Sequence, residues 1–259
     1  MKKFILLTAC LILPALTCAQ TAEEKGLFIA IEADKHDTGW KDQSSNLRMT
    51  LHNRQGQESF REMHNQALEV EGDGDKTLIV FDLPQDVKGT AFLSFTHATR
   101  PDDQWLFLPA LKRVKRISSS NKSGPFMGSE FAYEDISSQE IDKYTYKYLK
   151  DDTIDGNDTF VIERFPQYEN SGYTRQIVWL DKIKYQPLKI DFYDRKNSLL
   201  KTLSYHDYKQ YLDKFWRPGK MQMTNNQNGK STTLIWKDYK FNNNFNDRDF
   251  DNNSLQRAR

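Results

Sequence analysis

The groups in this chain that could do chemistry are five histidines, two cysteines and 36 acidic residues, and their spacing assembles no recognisable centre. His36, His52, His64, His97 and His206 stand far apart, and none forms the His-Glu-x-x-His pattern that sets two imidazoles on one helix face around zinc. Asp151, Thr153, Asp155 and Gly156 carry the opening of a calcium-loop pattern. However, Thr153 takes the third position and Ile162 the twelfth, where a bidentate glutamate is needed. Asp247, Asp249 and Asp251 alternate, but Asn252 replaces the required glycine. The carboxylate pairs Asp102-Asp103 and Asp151-Asp152 are adjacent in sequence and read as turns, not as a general acid and base. There is no nucleophile elbow, no phosphate-binding loop and no dinucleotide fingerprint. The expectation is therefore a protein that is not an enzyme and takes no metal or cofactor.

The informative chemistry is non-catalytic and lies between Asp103 and Ile136. Trp105, Leu106, Phe107 and Leu108 form an apolar run stopped by Pro109, as in a strand buried on both faces or lining a cavity. Lys112, Arg113, Lys115 and Arg116 follow, with Leu111, Val114 and Ile117 between and beside them. Next comes Gly124-Pro125-Phe126-Met127-Gly128, a hinge-like loop offering two large apolar side chains, one of them an adaptable methionine. Phe131 and Tyr133-Glu134-Asp135 complete the stretch. These residues suit a site that holds an apolar group near an anionic one. The expected cavity and lid residues are Trp105, Phe107, Leu108, Phe126, Met127, Phe131 and Tyr133. Lys112, Arg113, Lys115 and Arg116 are expected to meet an anionic headgroup or an acidic partner. As a lid residue, Phe126 should accept an aspartate with little loss of stability. The bland alternatives are that the aromatics are plain core, the cations a solvated face and Phe126-Met127 an ordinary loop anchor.

The elements that must position these residues are mostly strands. Met1-Lys2-Lys3 and the apolar run Phe4–Leu16 read as a secretory signal, with cleavage after Ala19. Cys18 raises lipidation as the alternative, but Ala15 and Thr17 fit that motif poorly. Cleavage after Ala19 would remove Cys10 and Cys18 and leave no thiol, with the mature protein in the periplasm. The 37 basic and 36 acidic residues nearly balance, which argues against a nucleic-acid binder driven by counterion release. Aromatics make up 13% of the chain, and such residues favour a sheet. Thr21–His36 is the best helix candidate. From Ser45 onward, alternating runs separated by turn signals predict about ten to eleven antiparallel strands, including one from Trp216 to Thr224. Residues 20–241 are expected to form one domain. The Asn/Asp-rich tail 242–259 is expected to be partly disordered, with Phe245 and Phe250 able to staple it down.

The string QWLFLPALKRVKRIS…GPFMGSEFAYEDI, in a chain with this order of elements, resembles the outer membrane lipoprotein-sorting protein-like family. These are LolA/LolB-like periplasmic proteins associated with exporters of the resistance–nodulation–division type. The residues carrying the resemblance are Trp105, Leu108-Pro109, Lys112–Ile117, Phe126–Ser129, Phe131 and Tyr133–Asp135. It implies a mainly β fold: a curved, unclosed antiparallel barrel with an N-terminal helix and a short helix or loop lid over its concave apolar face. It also implies a carrier of lipid or acylated ligands, working with an inner-membrane exporter or an outer-membrane acceptor and touching the membrane surface transiently. The lipoprotein chaperones of that group lack the basic segment and the Phe-Met-Gly-Ser loop, so lipoproteins as cargo are less firmly implied than the fold. The alternative is a scaffold of an envelope complex that carries nothing.

Overall fold

The computed structural model describes residues 20–257. The expected signal peptide and the lipidation alternative at Cys18 lie outside the described residues. Helix α1 (Ala22–Asp37) begins at Thr21, whose hydroxyl accepts from the Glu24 amide while Glu24 accepts from the Thr21 amide. This reciprocal cap fixes where the helix starts. Its position matches the expected Thr21–His36 helix.

Fifteen strands follow. The first six are β1 (Asp42–His52), β2 (Glu58–Leu68), β3 (Lys76–Leu83), β4 (Ala91–Phe95), β5 (Asp103–Leu108) and β6 (Arg113–Ile117). The next five are β7 (Tyr144–Ile154), β8 (Asn157–Pro166), β9 (Tyr173–Asp181), β10 (Pro187–Asp194) and β11 (Leu199–His206). The last four are β12 (Lys209–Tyr211), β13 (Phe215–Arg217), β14 (Lys220–Asn225) and β15 (Ser231–Phe241). Thirteen of them form one antiparallel sheet, in the order β6-β5-β4-β3-β2-β1-β15-β14-β11-β10-β9-β8-β7. β12 and β13 make a separate hairpin, whose Phe215 packs with Trp40 and Ala67. The sheet is two meanders joined where β1 pairs with β15. It does not close, because β6 and β7 are its free edges.

The strand count exceeds the expected ten to eleven for local reasons. Pro218 and Gly219 split the expected Trp216–Thr224 strand into β13 and β14. β6 carries charges toward both faces and shows no alternation. β7 and β8 turn through Asp155 and Gly156, both at positive φ, as a two-residue hairpin loop requires.

The concave face holds the main core, to which nearly every strand of the sheet contributes: Leu47 and Met49 from β1, Phe81 from β3, Ile162 from β8, Phe192 from β10, Leu234 from β15. Ile29 and Ala30 of α1 cover one end of it. Gly26 lets α1 approach β7, because a Cβ there would fall 2.7 Å from the backbone of Lys147 and Tyr148. The convex face is also buried near β3–β6. Leu78, Val80 and Leu93 pack there against Phe250 and Leu255 of the tail, on a 3₁₀ turn (Asp247–Phe250) and helix α2 (Asn252–Arg257). The tail expected to be partly disordered therefore supplies the outer layer through residue 257, and Phe245 and Phe250 do staple it down. Burial on both sides explains why β3 reads as the continuous run Leu78-Ile79-Val80-Phe81. No helix among the described residues is long and apolar enough to cross a membrane.

Candidate functional site

The segment from Ser118 to Lys143 joins β6 to β7, so it links the two free edges of the sheet and crosses its open side. It forms four short 3₁₀ turns, at Ser119–Asn121, Phe126–Gly128, Tyr133–Asp135 and Ile141–Lys143. Its middle folds back on itself. The Phe126 amide donates to the Phe131 carbonyl at 2.7 Å, and Ser129 Oγ donates to the Phe126 carbonyl at 2.7 Å. Met127 and Gly128 both take positive φ, the local device that reverses the chain. The reversal drives Phe126 and Phe131 into the concave face, where each is 1% exposed. Phe126 packs edge-on against Phe92 and Tyr133, with ring centroids 5.2 and 5.5 Å away, and lies beside Phe81. The expected lid is thus a plug, inserted into the face instead of lying over it.

Buried polar bonds hold the plug to the second meander. Lys201 Nζ donates to Asp135 at 2.7 Å and to the Glu130 carbonyl at 2.9 Å, and Tyr173 donates its hydroxyl to Asp135 at 2.8 Å. Glu134 accepts from the hydroxyls of Tyr168 and Ser171 at 2.9 Å and from the Gly172 amide at 2.8 Å. The Glu130 amide donates to Thr232 Oγ1 at 3.0 Å, and its carboxylate accepts from Asn225 at 2.7 Å. Burial, reinforced by the neighbouring Asp135, raises the Glu134 carboxyl above the usual carboxylate range. Burial, together with Asp135, raises the Tyr173 hydroxyl far above its ordinary value. The clasp therefore keeps its phenol protonated as a donor.

The predicted site residues divide between two faces. Leu108, Phe126, Met127, Phe131 and Tyr133 belong to the concave core. Trp105 and Phe107 do not. On β5 they alternate with Leu106 and Leu108, so they point to the convex face and pack with Val114 under the tail. Leu106 is the concave residue the sequence reading missed.

The cations also split by strand alternation. Arg113 lies opposite Leu108 and Lys115 opposite Leu106, both on the concave side of the exposed edge strand. Arg116 lies opposite Trp105 on the other face, where it pairs with Asp103. Asp103 also receives Arg100 at 3.1 Å and His97 at 3.3 Å. Arg116 is thus tied into a network, whereas Lys112, Arg113 and Lys115 are exposed and make no ion pair among the described residues. Lys112 takes positive φ at the end of the turn Pro109–Leu111, whose Leu111 is 67% exposed.

The clasp residues Lys201, Tyr173, Tyr168 and Asn225 were missed by the sequence reading. Glu134 and Asp135 could have been suspected as acids embedded among aromatics. Nothing local marks Lys201, which meets Asp135 from 66 residues away. Among the described residues no group of three His, Cys, Asp or Glu side chains has metal-binding geometry.

Comparison with known proteins gives a family model and a set of similar solved structures, of which three are described. The model, described only as an uncharacterized protein, matches residues 73–257. A domain from Vibrio parahaemolyticus, assigned by name to outer membrane lipoprotein sorting, is 58% identical with a TM-score of 0.89. That match covers 90% of this chain and 99% of that one. A DUF1329 family protein from Desulfovibrio piger is 30% identical with a TM-score of 0.86, covering 91% and 99% of the two chains. A LolA superfamily protein from Nitrosomonas europaea shares the fold at 21% identity and a TM-score of 0.71, covering 91% and 100%. No curated protein matches the chain.

Proposed function

The chain belongs to the DUF1329 family of outer membrane lipoprotein-sorting-like proteins, and from that premise we propose that it is a periplasmic carrier of lipid or acylated ligands. In this reading the concave face takes the acyl chain, and the segment Ser118–Lys143 is a plug that yields to it. The observation that carries the reading is how the face is filled. An apolar surface spanning the sheet is occupied at its open side by an irregular segment anchored through polar bonds, not by a second sheet or a long helix. The names of the Vibrio and Nitrosomonas relatives support the same class of function.

The magnitudes permit the exchange. Burying a long acyl chain gains on the order of 10 kcal/mol at about 0.8 kcal/mol per methylene. Withdrawing Phe126 and Phe131 gives up about 1.5–3 kcal/mol each. The clasp bonds can be replaced by water at a net cost of about 1 kcal/mol apiece. With every clasp bond broken the cost is about 11–14 kcal/mol, so the exchange is near balance for one long acyl chain and favourable for a ligand with two, while a small apolar molecule cannot displace the plug.

Lys112, Arg113 and Lys115, exposed around Leu111 on the free edge, serve in this reading as the contact with an anionic membrane surface or an acidic exporter of the resistance–nodulation–division type. The N-terminal signal segment would deliver the chain to the periplasm.

A reversible tether tests the plug. A Cβ built at Gly172 falls 2.9 Å from the Cβ of Ser123, close enough for a disulfide after a small outward shift. In the Ser123→Cys/Gly172→Cys variant, made in a chain starting at Gln20, oxidation should abolish uptake of a fluorescent fatty-acid analogue. Reduction should restore it. Equal uptake by the two forms would remove the plug from the mechanism. Absence of uptake from the untethered protein as well would favour a scaffold that carries nothing.

A further inference from the structure

We propose that the free edge strand β6 is the docking edge for an extended acidic segment of a partner protein, which adds to the sheet as a further strand. The proposal rests on reading Lys112, Arg113 and Lys115 as a contact for something acidic, and it names the form that the partner takes.

The two free edges of the sheet are not alike. Helix α1 lies against the backbone of β7, where a Cβ on Gly26 would fall 2.7 Å from Lys147 and Tyr148. β6 has no such cover. Among the described residues, the backbone of Arg113–Ile117 is hydrogen-bonded only through its ladder with β5. The plug that follows makes its backbone bonds within itself, as between Tyr133 and Gly124 or Glu134 and Lys122, and none of them reaches β6. On an antiparallel edge strand, the N–H and C=O groups of alternate residues point away from the neighbouring strand and can pair with another extended chain.

Charge selects the occupant. Lys112, Arg113 and Lys115 are exposed and make no ion pair among the described residues. Arg116, on the other face, is committed to Asp103. Arg113 and Lys115 share the concave side, while Val114 between them is half-buried on the convex side with Trp105 and Phe107. Cross-strand neighbours on one face of a sheet meet directly. The segment that fits therefore alternates: an acid opposite Arg113, an apolar residue opposite Val114 and an acid opposite Lys115. A second copy of β6 does not fit, because it would set cation against cation; the charges that accept an acidic strand also bar self-pairing. A bilayer surface fits less well. It would meet the cations but leave the outer backbone groups unused. Among the described residues of β6 and the turn before it, Leu111 alone is a large apolar side chain that stands exposed.

A short labelled peptide alternating glutamate and valine tests this by fluorescence anisotropy at low ionic strength, with hydrogen exchange read on the complex. The glutamate peptide should bind, and its counterpart alternating lysine and valine should not. N-methylation of the glutamate peptide throughout, which removes its backbone donors, should weaken binding at least tenfold. Arg113→Glu/Lys115→Glu should reverse the preference between the two peptides. In the saturated complex the outer amides within Arg113–Ile117 should exchange at least tenfold more slowly. Phosphatidylglycerol vesicles, which draw on the cations alone, should leave that exchange unchanged. Binding of the glutamate peptide with unchanged amide exchange and no loss on N-methylation would overturn strand addition and leave the acidic contact standing. Vesicles held through these cations, with no binding of the peptide, would overturn the protein partner in favour of a membrane surface. Binding of neither would overturn the proposal together with the reading of the cations.

Discussion

Truncation of Phe126 separates a displaceable plug from a permanent core residue. At 1% exposure, with Phe81, Phe92 and Tyr133 around it, Phe126 is packed as core. An aspartate there would bury a carboxylate with no partner. The expectation that Phe126→Asp would leave stability unchanged therefore fails, and alanine is the informative replacement. A buried Phe→Ala change lowers stability by about 3–5 kcal/mol, including the cavity left behind. That loss appears whichever role Phe126 plays. Ligand affinity distinguishes them. If an acyl chain must first expel the ring, binding carries the penalty of exposing it, about 1.5–3 kcal/mol. Phe126→Ala removes that penalty, so the dissociation constant for a long-chain fatty-acid analogue should fall about 10- to 150-fold, at 1.4 kcal/mol per factor of ten. Urea unfolding measures the stability loss, and fluorescence titration below the unfolding transition measures affinity. Unchanged or weaker ligand binding in a folded variant would show that Phe126 is not in the ligand's path.

The rim cations predict a salt-sensitive association: Arg113→Ala/Lys115→Ala should slow binding to anionic vesicles at low ionic strength, by stopped-flow, and leave neutral ligand uptake intact. Arg116→Ala should not share this effect, because Arg116 is on the opposite face with Asp103; it should change stability by no more than about 1 kcal/mol. Asp75 predicts a pH dependence. Burial, and then the neighbouring Glu140, raise its carboxyl to about 7. A carboxyl raised on folding makes the native state bind more protons than the unfolded chain, so this contribution is fully present below about pH 4 and is lost as pH rises through about 7. Asp75→Asn should therefore raise stability at pH 8 and flatten its decline between pH 4 and 8, by up to about 3 kcal/mol in denaturant titrations. A decline identical to wild type would remove Asp75 as its source.

The fold was legible because period-two patterning and turn residues survive wherever one face of a strand is wet. It failed where both faces are dry. Trp105-Leu106-Phe107-Leu108 has no polar residue to say which side faces which core, and the tail that buries Trp105 and Phe107 was itself masked by its Asn/Asp content. On β6 the failure is reversed: an exposed edge strand tolerates charge on both faces, so Arg113 and Arg116 look like one cluster until alternation separates them. Phe126 and Phe131 were legible as a unit because glycine and proline frame them. The clasp was not, because it joins side chains that only the folded topology brings together.

The central claim, that an acyl chain lies along the concave face, is tested most directly by quenching of single tryptophans with a brominated fatty acid. Trp236 packs against the concave core, while Trp105 lies on the convex side beneath the tail. In variants retaining one of these tryptophans, with the others changed to phenylalanine, saturating ligand should quench Trp236 and leave Trp105 unquenched. Quenching of Trp105 with Trp236 unaffected, or of neither while ligand is bound, would contradict the account.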